Sequence, residues 1–248
     1  MINEVARLEE KSQYVQEVFT EIADDYDQMN DKMTWGMLKG WQKIVMQKTQ
    51  LQTGDKGLDV CCGTGEMTFQ QRQLVGPAGE VVGLDFTQSM LDVANAKLAK
   101  LRYRNVSFVQ GDAMALPFAD NTFQAATNGF ALRNVVDIQK TISEMARVVA
   151  PGGRVVCIDV SVPQFFLFRW FFNVYYYKLV PIMGHQVDKN KKIGSKFPAY
   201  TWLAESLRTL PPQEEIKQMF VNAGLQDAAY QGVGFGAATI YWGTKREA

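Results

Sequence analysis

Residues 58–68 have the sequence Leu58-Asp59-Val60-Cys61-Cys62-Gly63-Thr64-Gly65-Glu66-Met67-Thr68, and residues 81–85 have the sequence Val81-Val82-Gly83-Leu84-Asp85. An apolar strand runs into a tight glycine turn that opens a helix, and a second apolar strand ends in a carboxylate 20 positions after Gly65. This layout is typical of a nucleoside-binding βαβ unit. In such a unit the turn lets the backbone approach the ligand, and the carboxylate accepts hydrogen bonds from ribose hydroxyls.

The glycine spacing disfavours two common nucleotide motifs. A dinucleotide fingerprint needs Gly-x-Gly-x-x-Gly, but the frame centred on Gly63 places Cys61 and Glu66 at the outer glycine positions. A P-loop needs a Lys-Ser/Thr pair after the turn, and none follows here. What remains is Asp-x-x-x-Gly-x-Gly beginning at Asp59, whose carboxylate would repel a phosphate and could hold an ammonium group. We therefore expect S-adenosylmethionine, although glycines also serve ordinary strand-to-helix turns.

The composition indicates one substantial domain. The chain has 248 residues, of which 47% are hydrophobic and 21% are charged. Basic and acidic residues number 26 each, so the charge balance gives no global attraction to nucleic acid, and we expect no such partner. The N-terminal residues lack the apolar core of a signal peptide, and no apolar run reaches the roughly 20 residues of a membrane span. We expect a cytoplasmic protein.

The three cysteines are Cys61, Cys62 and Cys157, and all fall in predicted buried strands or strand ends. Adjacent cysteines are poorly placed to chelate one ion together, so reduced structural thiols are favoured over a redox or metal pair. We expect no metal site.

Strand and helix patterns alternate along the chain, which predicts a mostly parallel, doubly wound α/β sheet. Pro151-Gly152-Gly153 stops one helix and turns the chain into the next strand. Predicted strands lie near 57–61, 80–85, 106–110, 123–129, 153–160, 225–231 and 236–243, and predicted helices near 12–31, 37–50, 65–74, 88–101, 137–149 and 212–223.

No internal repeat or low-complexity linker interrupts residues 1–248, so we expect one domain. Its predicted parts are a helical N-terminal cover (1–50), a cofactor-binding core (51–160), a substrate-side insertion (161–210) and a C-terminal completion of the sheet (211–248).

A second nucleoside contact is predicted at the third strand. Asp112 follows the strand directly and lies at the sheet edge where open α/β folds bind ligands. Its carboxylate can accept a hydrogen bond from the exocyclic adenine amine, and the backbone of Ala113 can serve a ring nitrogen. The alternative is that Asp112 only caps the following turn. Its pairing with Asp85, at the end of the preceding strand, favours the adenosine contact.

Longer motifs accompany the glycine turn. They are Tyr26-Asp27-Gln28-Met29-Asn30-Asp31, Asp112-Ala113-Met114-Ala115-Leu116-Pro117-Phe118, Phe130-Ala131-Leu132-Arg133-Asn134-Val135 and Tyr200-Thr201-Trp202-Leu203-Ala204-Glu205-Ser206. With the Cys-Cys-Gly-Thr-Gly turn, this set resembles the ubiquinone/menaquinone biosynthesis C-methyltransferases in the family's order, from about residue 18 to the C-terminus. The Asp-Ala-x-x-Leu-Pro-Phe motif is shared by many small-molecule methyltransferases, whereas the other three are more specific.

The resemblance implies a class I S-adenosylmethionine-dependent methyltransferase with a Rossmann-like, seven-stranded sheet, acting on a ring carbon of a membrane-borne prenylated quinol. The Cys-Cys form of the turn looks more like members that act only in menaquinone formation, where demethylmenaquinol becomes menaquinol. By position, Thr64, Asp85, Asp112 and Ala113 match the family's cofactor contacts. The expected cofactor site comprises Asp59, Gly63, Thr64, Gly65, Asp85, Asp112 and Ala113.

Methylation of a quinol carbon requires donor and acceptor to be held in line and water to be excluded. The carbon becomes nucleophilic when an adjacent hydroxyl loses its proton, so some group must favour the anion. Arg133, in a loop beyond the fourth predicted strand, would face the cofactor methyl and stabilise negative charge. The matching arginine of the family lies at the active site. The alternative for Arg133 is a structural ion pair.

Two further catalytic candidates would handle the proton. Asp159 ends the fifth predicted strand, where the family usually has an acid, and would accept the proton directly or through water. Tyr26, in the N-terminal cover, would close over the donor and touch the substrate hydroxyl. His185, the only histidine, is a weaker candidate because the family has no histidine there. The expected substrate contacts are Asn134, Phe130 and Trp170.

Residues 164–180 contain nine aromatic side chains in 17 positions. The segment is short for a bilayer span and includes Arg169 and Lys178, so we expect an inserted helix that is apolar on most of its circumference. One alternative is a core helix over the sheet. The other is a helix that lines a channel for the isoprenoid tail and makes peripheral membrane contact, with cationic side chains touching anionic headgroups. The cations available are Arg169, Lys178, Lys189, Lys191 and Lys192.

Three functional classes remain to be compared: a quinol C-methyltransferase, a methyltransferase for another small acceptor such as a ubiquinone precursor, a sterol or a cytosolic metabolite, and a non-catalytic nucleotide-binding protein. The intact turn, Asp85 and Asp112 argue against the third. Arg133-Asn134-Val135 and the aromatic segment favour the first over a water-soluble acceptor. The sequence leaves open whether the chain forms a homodimer.

Overall fold

A seven-stranded sheet forms the centre of the structure, a computed structural model that describes residues 2–180, 182, 202 and 205–247. Its strands are β1 (Lys56–Val60), β2 (Glu80–Asp85), β3 (Val106–Gln110), β4 (Phe123–Gly129), β5 (Val149–Val160), β6 (Leu225–Val233) and β7 (Ala238–Lys245). They lie in the order β3-β2-β1-β4-β5-β7-β6. The first five are parallel, and β7 is antiparallel to both β5 and β6. The prediction of a mostly parallel α/β sheet is confirmed.

The central strands β1 and β2 are mostly apolar because helices cover both faces of the sheet. In each of them, every residue after the first is buried. The edge strand β6 is different, since most of its residues are partly or fully exposed. The burial pattern therefore matches the position of each strand in the sheet.

The strand register brings the turns that follow three strands to one edge. Val60 is level with Leu84 in β2 and with Asn128 in β4. The carboxyl ends of β1, β2 and β4 therefore lie side by side, and the turns that follow them meet at the edge where open α/β sheets bind ligands.

The helices agree with the predicted alternation. They are α1 (Ile2–Ile22), α2 (Tyr26–Met33), α3 (Leu38–Thr49), α4 (Glu66–Val75), α5 (Gln88–Leu101), α6 (Ile138–Val148), α7 (Phe166–Val174) and α8 (Gln213–Asn222), with a π-helical turn at Tyr175–Leu179 and 3₁₀ turns at Leu207–Thr209 and Gly234–Gly236. The division of the chain into one domain with four parts stays a prediction.

Two element boundaries differ from the prediction. The helix predicted over 12–31 is divided into α1 and α2 at residues 23–25, where two adjacent aspartates disfavour a helix interior. Strand β5 begins at Val149, so Pro151-Gly152-Gly153 lies inside the strand. Gly152 has a φ of 78°, and the pairing of β4 with β5 shifts register between Phe123 and Ala125. The glycines therefore make a local irregularity in β5 and do not delay its start.

The aromatic segment forms helix α7 and the π-helical turn after it, as expected for an inserted helix. The Tyr175 hydroxyl donates a hydrogen bond of 2.8 Å to the carbonyl of Met33, which attaches the turn to the end of α2. Among the described residues, none of the helices combines the length and the apolar character that crossing a membrane requires.

Candidate active site

Three adjacent cavities open at the carboxyl edge of the parallel strands. The first is lined by Asp85, Asp112 and Ala113 among others, the second by Asp59, Thr64 and Lys39, and the third by Arg133, Trp35 and Tyr176. Tyr26 and Phe130 line all three cavities. These two side chains therefore form the wall that the three spaces share.

The glycine turn between β1 and α4 requires backbone conformations that few residues adopt. Gly63 and Gly65 have φ values of 54° and 83°, in the left-handed region that favours glycine. A Cβ atom at Gly65 would lie 2.8 Å from Cζ of Phe108. Cys61 also has a positive φ, of 57°, and an unusual backbone of this kind is common at functional sites. The left-handed backbone at these two positions therefore explains why Gly63 and Gly65 are both glycine.

Asp85 fixes the turn from the neighbouring strand. Its Oδ2 accepts a hydrogen bond of 2.8 Å from the Gly63 amide, and its Oδ1 accepts one of 2.9 Å from the Thr87 amide. The carboxyl group is buried, and burial raises its pKa. Each carboxylate oxygen has more than one lone pair, so Asp85 keeps acceptor capacity on the wall of the first cavity. Its assignment to the cofactor ribose stays a prediction.

Asp112 and Ala113 lie together on the first cavity. Asp112 Oδ1 accepts a hydrogen bond of 2.8 Å from the Met114 amide, so the side chain does cap the turn that follows β3. The same carboxylate lines the cavity that Asp85 lines, and the cap therefore leaves the proposed adenine contact available. This contact, like that of the Ala113 backbone, stays a prediction.

Asp59 lies at the centre of a buried polar network. It is 1% exposed, and its two oxygens accept hydrogen bonds of 2.7 Å from the hydroxyls of Thr68 and Thr127. Gln71 Nε2 donates to Thr127 Oγ1 at 2.7 Å. Burial raises the pKa of Asp59 to about 6, against the lowering effect of the two hydroxyls. Asp59 lines the second cavity, and its expected contact with an ammonium group stays a prediction.

Thr64 connects the turn to the N-terminal helices. Its hydroxyl donates a hydrogen bond to Asp27 Oδ1. Asp27 forms an ion pair with Lys97, whose Nζ also lies 2.7 Å from Glu66 Oε1. One lysine of α5 therefore links α2 to the start of α4, at the second cavity.

Arg133 and Asp159 form a buried ion pair between the loop after β4 and the end of β5. Arg133 Nη1 contacts Asp159 Oδ1 and donates a hydrogen bond of 2.7 Å to the Phe130 carbonyl. The Arg133 amide donates to Asp159 Oδ2 at 3.1 Å. Burial is the largest single effect and would lower the pKa of Arg133, but the charge and hydrogen bond of Asp159, together with the nearby Tyr176 and Tyr26, offset it and the pKa is raised. The guanidinium stays charged on the wall of the third cavity.

This geometry bears on both predicted roles of the pair. Arg133 does form the ion pair that the structural alternative predicted. It also lines the third cavity, so it remains a catalytic candidate. Asp159 is fully buried, and the Val160 amide donates to its Oδ1 at 2.7 Å. Oδ1 therefore accepts from two donors and Oδ2 from one, so the acceptor capacity that remains for a proton lies on Oδ2. The catalytic roles of Arg133, Asp159 and Tyr26 stay predictions.

The three expected substrate contacts fall in different places. Phe130 has a φ of 58° and lies on the wall shared by the cavities. Asn134 lines the first cavity, and its Oδ1 accepts a hydrogen bond of 3.2 Å from the Trp202 indole. Trp170 is 60% exposed on α7. These three substrate assignments stay predictions. The weaker catalytic candidate, His185, lies outside the described residues.

Relatives with known names match nearly the whole chain. Residues 7–245 match the ubiE/COQ5 methyltransferase family. The chain belongs to this family. It is 39% identical to the demethylmenaquinone methyltransferase of Shouchella clausii, with 95% of this chain and 97% of the relative covered, and 40% identical to the enzyme of that name from Bacillus cereus, with 96% and 98% covered. The chain is thus an S-adenosylmethionine-dependent methyltransferase, which confirms the predicted family, enzyme class and cofactor.

Solved structures show the same fold at lower sequence identity. A methyltransferase from Aquifex aeolicus aligns with a TM-score of 0.57 at 19% identity, covering 82% of this chain and 88% of its own. Phosphoethanolamine N-methyltransferase 2 of Haemonchus contortus, solved with S-adenosyl-L-methionine, aligns with a TM-score of 0.61 at 15% identity, covering 84% of this chain and 53% of its own. These likenesses support the Rossmann-like class I fold.

The donor and acceptor groups of the first two cavities suit this cofactor. The first cavity offers the carboxylates of Asp85 and Asp112, which are acceptors for ribose hydroxyls and an adenine amine. The second is lined by the glycine turn and by further carboxylates, which suit a cationic sulfonium and an ammonium group. The residues present therefore fit S-adenosylmethionine better than a phosphate-bearing nucleotide.

Sequence reasoning missed most residues of the third cavity. Trp35, Trp41, Tyr175 and Tyr176 line it, but they come from the loop before α3, from α3 and from the π-helical turn. The aromatic richness of residues 164–180 was a usable signal for the two tyrosines. Trp35 and Trp41 gave no periodic signal of their own, because their proximity depends on how α2 and α3 pack over the sheet.

We predict that Asp59→Asn removes a pH-dependent part of the free energy of unfolding. The folded pKa of about 6 lies above the unfolded value of about 3.9, so between these pH values only the folded chain holds the proton. Asp59 therefore makes wild-type stability fall as pH rises from about 4 to 6. Relative to the variant, wild type should lose about 2–3 kcal/mol across this window, measured by urea unfolding. The exposed Asp24→Asn is the control, and parallel curves for wild type and Asp59→Asn would refute the prediction.

Proposed function

We propose that this chain methylates a ring carbon of a prenylated quinol, converting demethylmenaquinol to menaquinol. The observation that carries the proposal is the third cavity, an apolar space that adjoins the two cofactor cavities at Tyr26 and Phe130. The names of the Shouchella and Bacillus relatives support the same substrate. S-adenosylmethionine, when bound, supplies an electrophilic methyl group.

The third cavity matches a flat ring that carries an isoprenoid tail. Its volume is about 210 Å³, and most of its lining is aromatic or aliphatic. Among the described residues that line it, Arg133 is the only charged one. Ligand sites of this kind combine an apolar wall with a few polar groups that fix orientation. A quinol meets this requirement because its ring and tail are apolar and its two hydroxyls are polar.

Arg133 serves in this proposal as the group that stabilises the quinol anion. A fixed cation in a buried site stabilises developing negative charge more strongly than one in water, and it needs little rearrangement during the reaction. Asp159 holds the guanidinium in place through the ion pair and through the Arg133 amide. Tyr26, whose pKa is raised by burial, remains a neutral phenol at physiological pH on the wall between ring and cofactor. Together these contacts orient the ring and keep water away from it.

The substrate assignment is tested by measuring transfer from labelled S-adenosylmethionine to a short-chain demethylmenaquinol. Menaquinol with the same tail is the matched control acceptor, because its reactive carbon is already methylated. We expect label in the demethyl acceptor alone. Wild-type protein that binds S-adenosylmethionine but transfers no label above background would refute the quinol assignment while leaving the cofactor assignment intact.

The role of Arg133 predicts a separation of turnover from cofactor affinity. Arg133→Ala should lower kcat by roughly 100-fold, as for loss of a donor to a developing anion, and change the Kd for S-adenosylmethionine by no more than about twofold. Arg133→Lys keeps a positive charge beside Asp159 and shows whether folding depends on the pair. The exposed Arg104→Ala is the control and should match wild type. Equal losses of turnover and cofactor affinity would mark Arg133 as structural.

We also propose peripheral membrane contact through an aromatic surface, defined as the exposed side chains of Trp35, Phe165, Phe166, Phe168, Trp170, Phe171 and Phe235. Phe168 stacks on Phe235 with ring centroids 4.8 Å apart, and Trp35 lies beside Tyr175 at 6.4 Å. Trp35 also lines the third cavity, so the aromatic surface adjoins the cavity proposed for the quinol. Large exposed apolar patches mark interaction sites, and a lipid-borne substrate favours a bilayer as the partner.

Sedimentation with vesicles tests the aromatic surface. The double variant Phe166→Ser, Trp170→Ser should lower the bound fraction on neutral and anionic vesicles alike, because burial of apolar area drives this part of the binding. Val221→Ser, at an exposed position of α8, is the control and should bind like wild type. Unchanged binding of the double variant would contradict the proposed surface.

The headgroup part of the proposal needs its own variants. Charge reversal at Arg169 and Lys178 should weaken binding to anionic vesicles more than to neutral ones. Lys189, Lys191 and Lys192 lie outside the described residues, and their charge reversal tests the same prediction from sequence. Unchanged binding in all of these variants would exclude headgroup contact.

The homodimer considered from the sequence stays a prediction.

A further inference from the structure

The charged residues on the second cavity are unequal in sign. Within the described part of the chain, the cavity is lined by four acidic side chains and one basic side chain. The basic side chain is Lys39, and the acidic ones are Asp27, Asp31, Asp59 and Glu66. A zwitterionic ligand in this space has several sites for a cation but only one charged side chain for an anion.

Three of the four carboxylates already have partners. Lys97 pairs with both Asp27 and Glu66, with Nζ 2.7 Å from Glu66 Oε1, and its single positive charge offsets part of their combined negative charge. Asp59 accepts hydrogen bonds from two threonine hydroxyls. The cavity is therefore less acidic than its lining suggests, and an anion placed near Lys39 meets weaker repulsion than a count of carboxylates implies.

Two helices begin at this cavity. Leu38 and Lys39 belong to the first turn of α3, and Glu66 and Met67 belong to the first turn of α4. Helix N-termini carry partial positive charge and favour anions. The exposed ammonium group of Lys39 adds a full charge at the N-terminus of α3.

We propose that Lys39 binds the carboxylate of the methionine part of S-adenosylmethionine. The nucleoside part is assigned to the first cavity through Asp85 and Asp112, so the amino acid part extends into the second. Its ammonium group suits the acidic lining, and its carboxylate pairs with Lys39. The inference rests on the cofactor assignment and not on the quinol substrate.

The test is calorimetric binding of two ligands that differ only at the carboxylate, S-adenosylhomocysteine and its decarboxylated analogue. Lys39→Met should weaken binding of S-adenosylhomocysteine by about tenfold, because a charge-assisted hydrogen bond is lost. Binding of the decarboxylated analogue should change by less than about twofold, since it lacks the partner of Lys39. Lys39→Arg, which keeps a cationic donor, should restore most of the affinity for S-adenosylhomocysteine.

Lys43→Met is the matched control. Lys43 lies one turn further along α3 and lines a separate cavity with Met46 and Gln50. Both ligands should bind this variant as they bind wild type. Two results would overturn the inference: Lys39→Met with unchanged affinity for S-adenosylhomocysteine, or an equal loss for both ligands. Wild-type protein that binds neither ligand would instead refute the cofactor assignment.

Discussion

The hydrogen bond from the Gly63 amide to Asp85 is the contact on which the site depends. It joins the turn after β1 to the end of β2, while the other oxygen of the carboxylate holds the Thr87 amide at the start of α5. One buried side chain thereby sets the position of two strand-to-helix turns. Residues of both turns line the first cavity, so the position of this carboxylate sets part of its shape.

A buried ion pair fixes the position of residues on the other side of the site. The ion pair between Arg133 and Asp159 joins the loop after β4 to the end of β5. Buried pairs of this kind are costly to desolvate, and removal of one partner leaves the other charge uncompensated, at a cost of about 3–5 kcal/mol. Such a pair contributes little net stability, so its value lies in fixing a cation at the wall of an apolar cavity.

The fold could be predicted from the sequence because its determinants are local. The parallel strands contain short apolar stretches, and the turn after β1 has a glycine pattern set by left-handed backbone at Gly63 and Gly65. Boundaries were less predictable, since the two aspartates between α1 and α2 disfavour a helix interior only weakly and the irregular start of β5 depends on strand register. Asp85 and Asp112 were predicted as site residues because each follows an apolar stretch directly. The carboxyl ends of parallel strands lie at the edge where open α/β sheets bind ligands.

Other parts of the site depend on tertiary contacts that no spacing encodes. The pairing of Arg133 with Asp159 joins residues 26 positions apart. The bridge from Lys97 to Asp27 and Glu66 joins α5 to α2 and α4, and the third cavity is assembled from separate parts of the chain. The sequence shows each of these residues, but it does not show which other residue each one contacts.

The wall formed by Tyr26 and Phe130 has a kinetic consequence. In the proposed arrangement the cofactor lies in the first two cavities and the quinol in the third, so each reactant has a cavity of its own and these spaces meet at Tyr26 and Phe130. In this arrangement the spent cofactor can be exchanged while a quinol remains in place, and a quinol can be exchanged while the cofactor remains. An enzyme built in this way has no structural need for a compulsory order of binding and release.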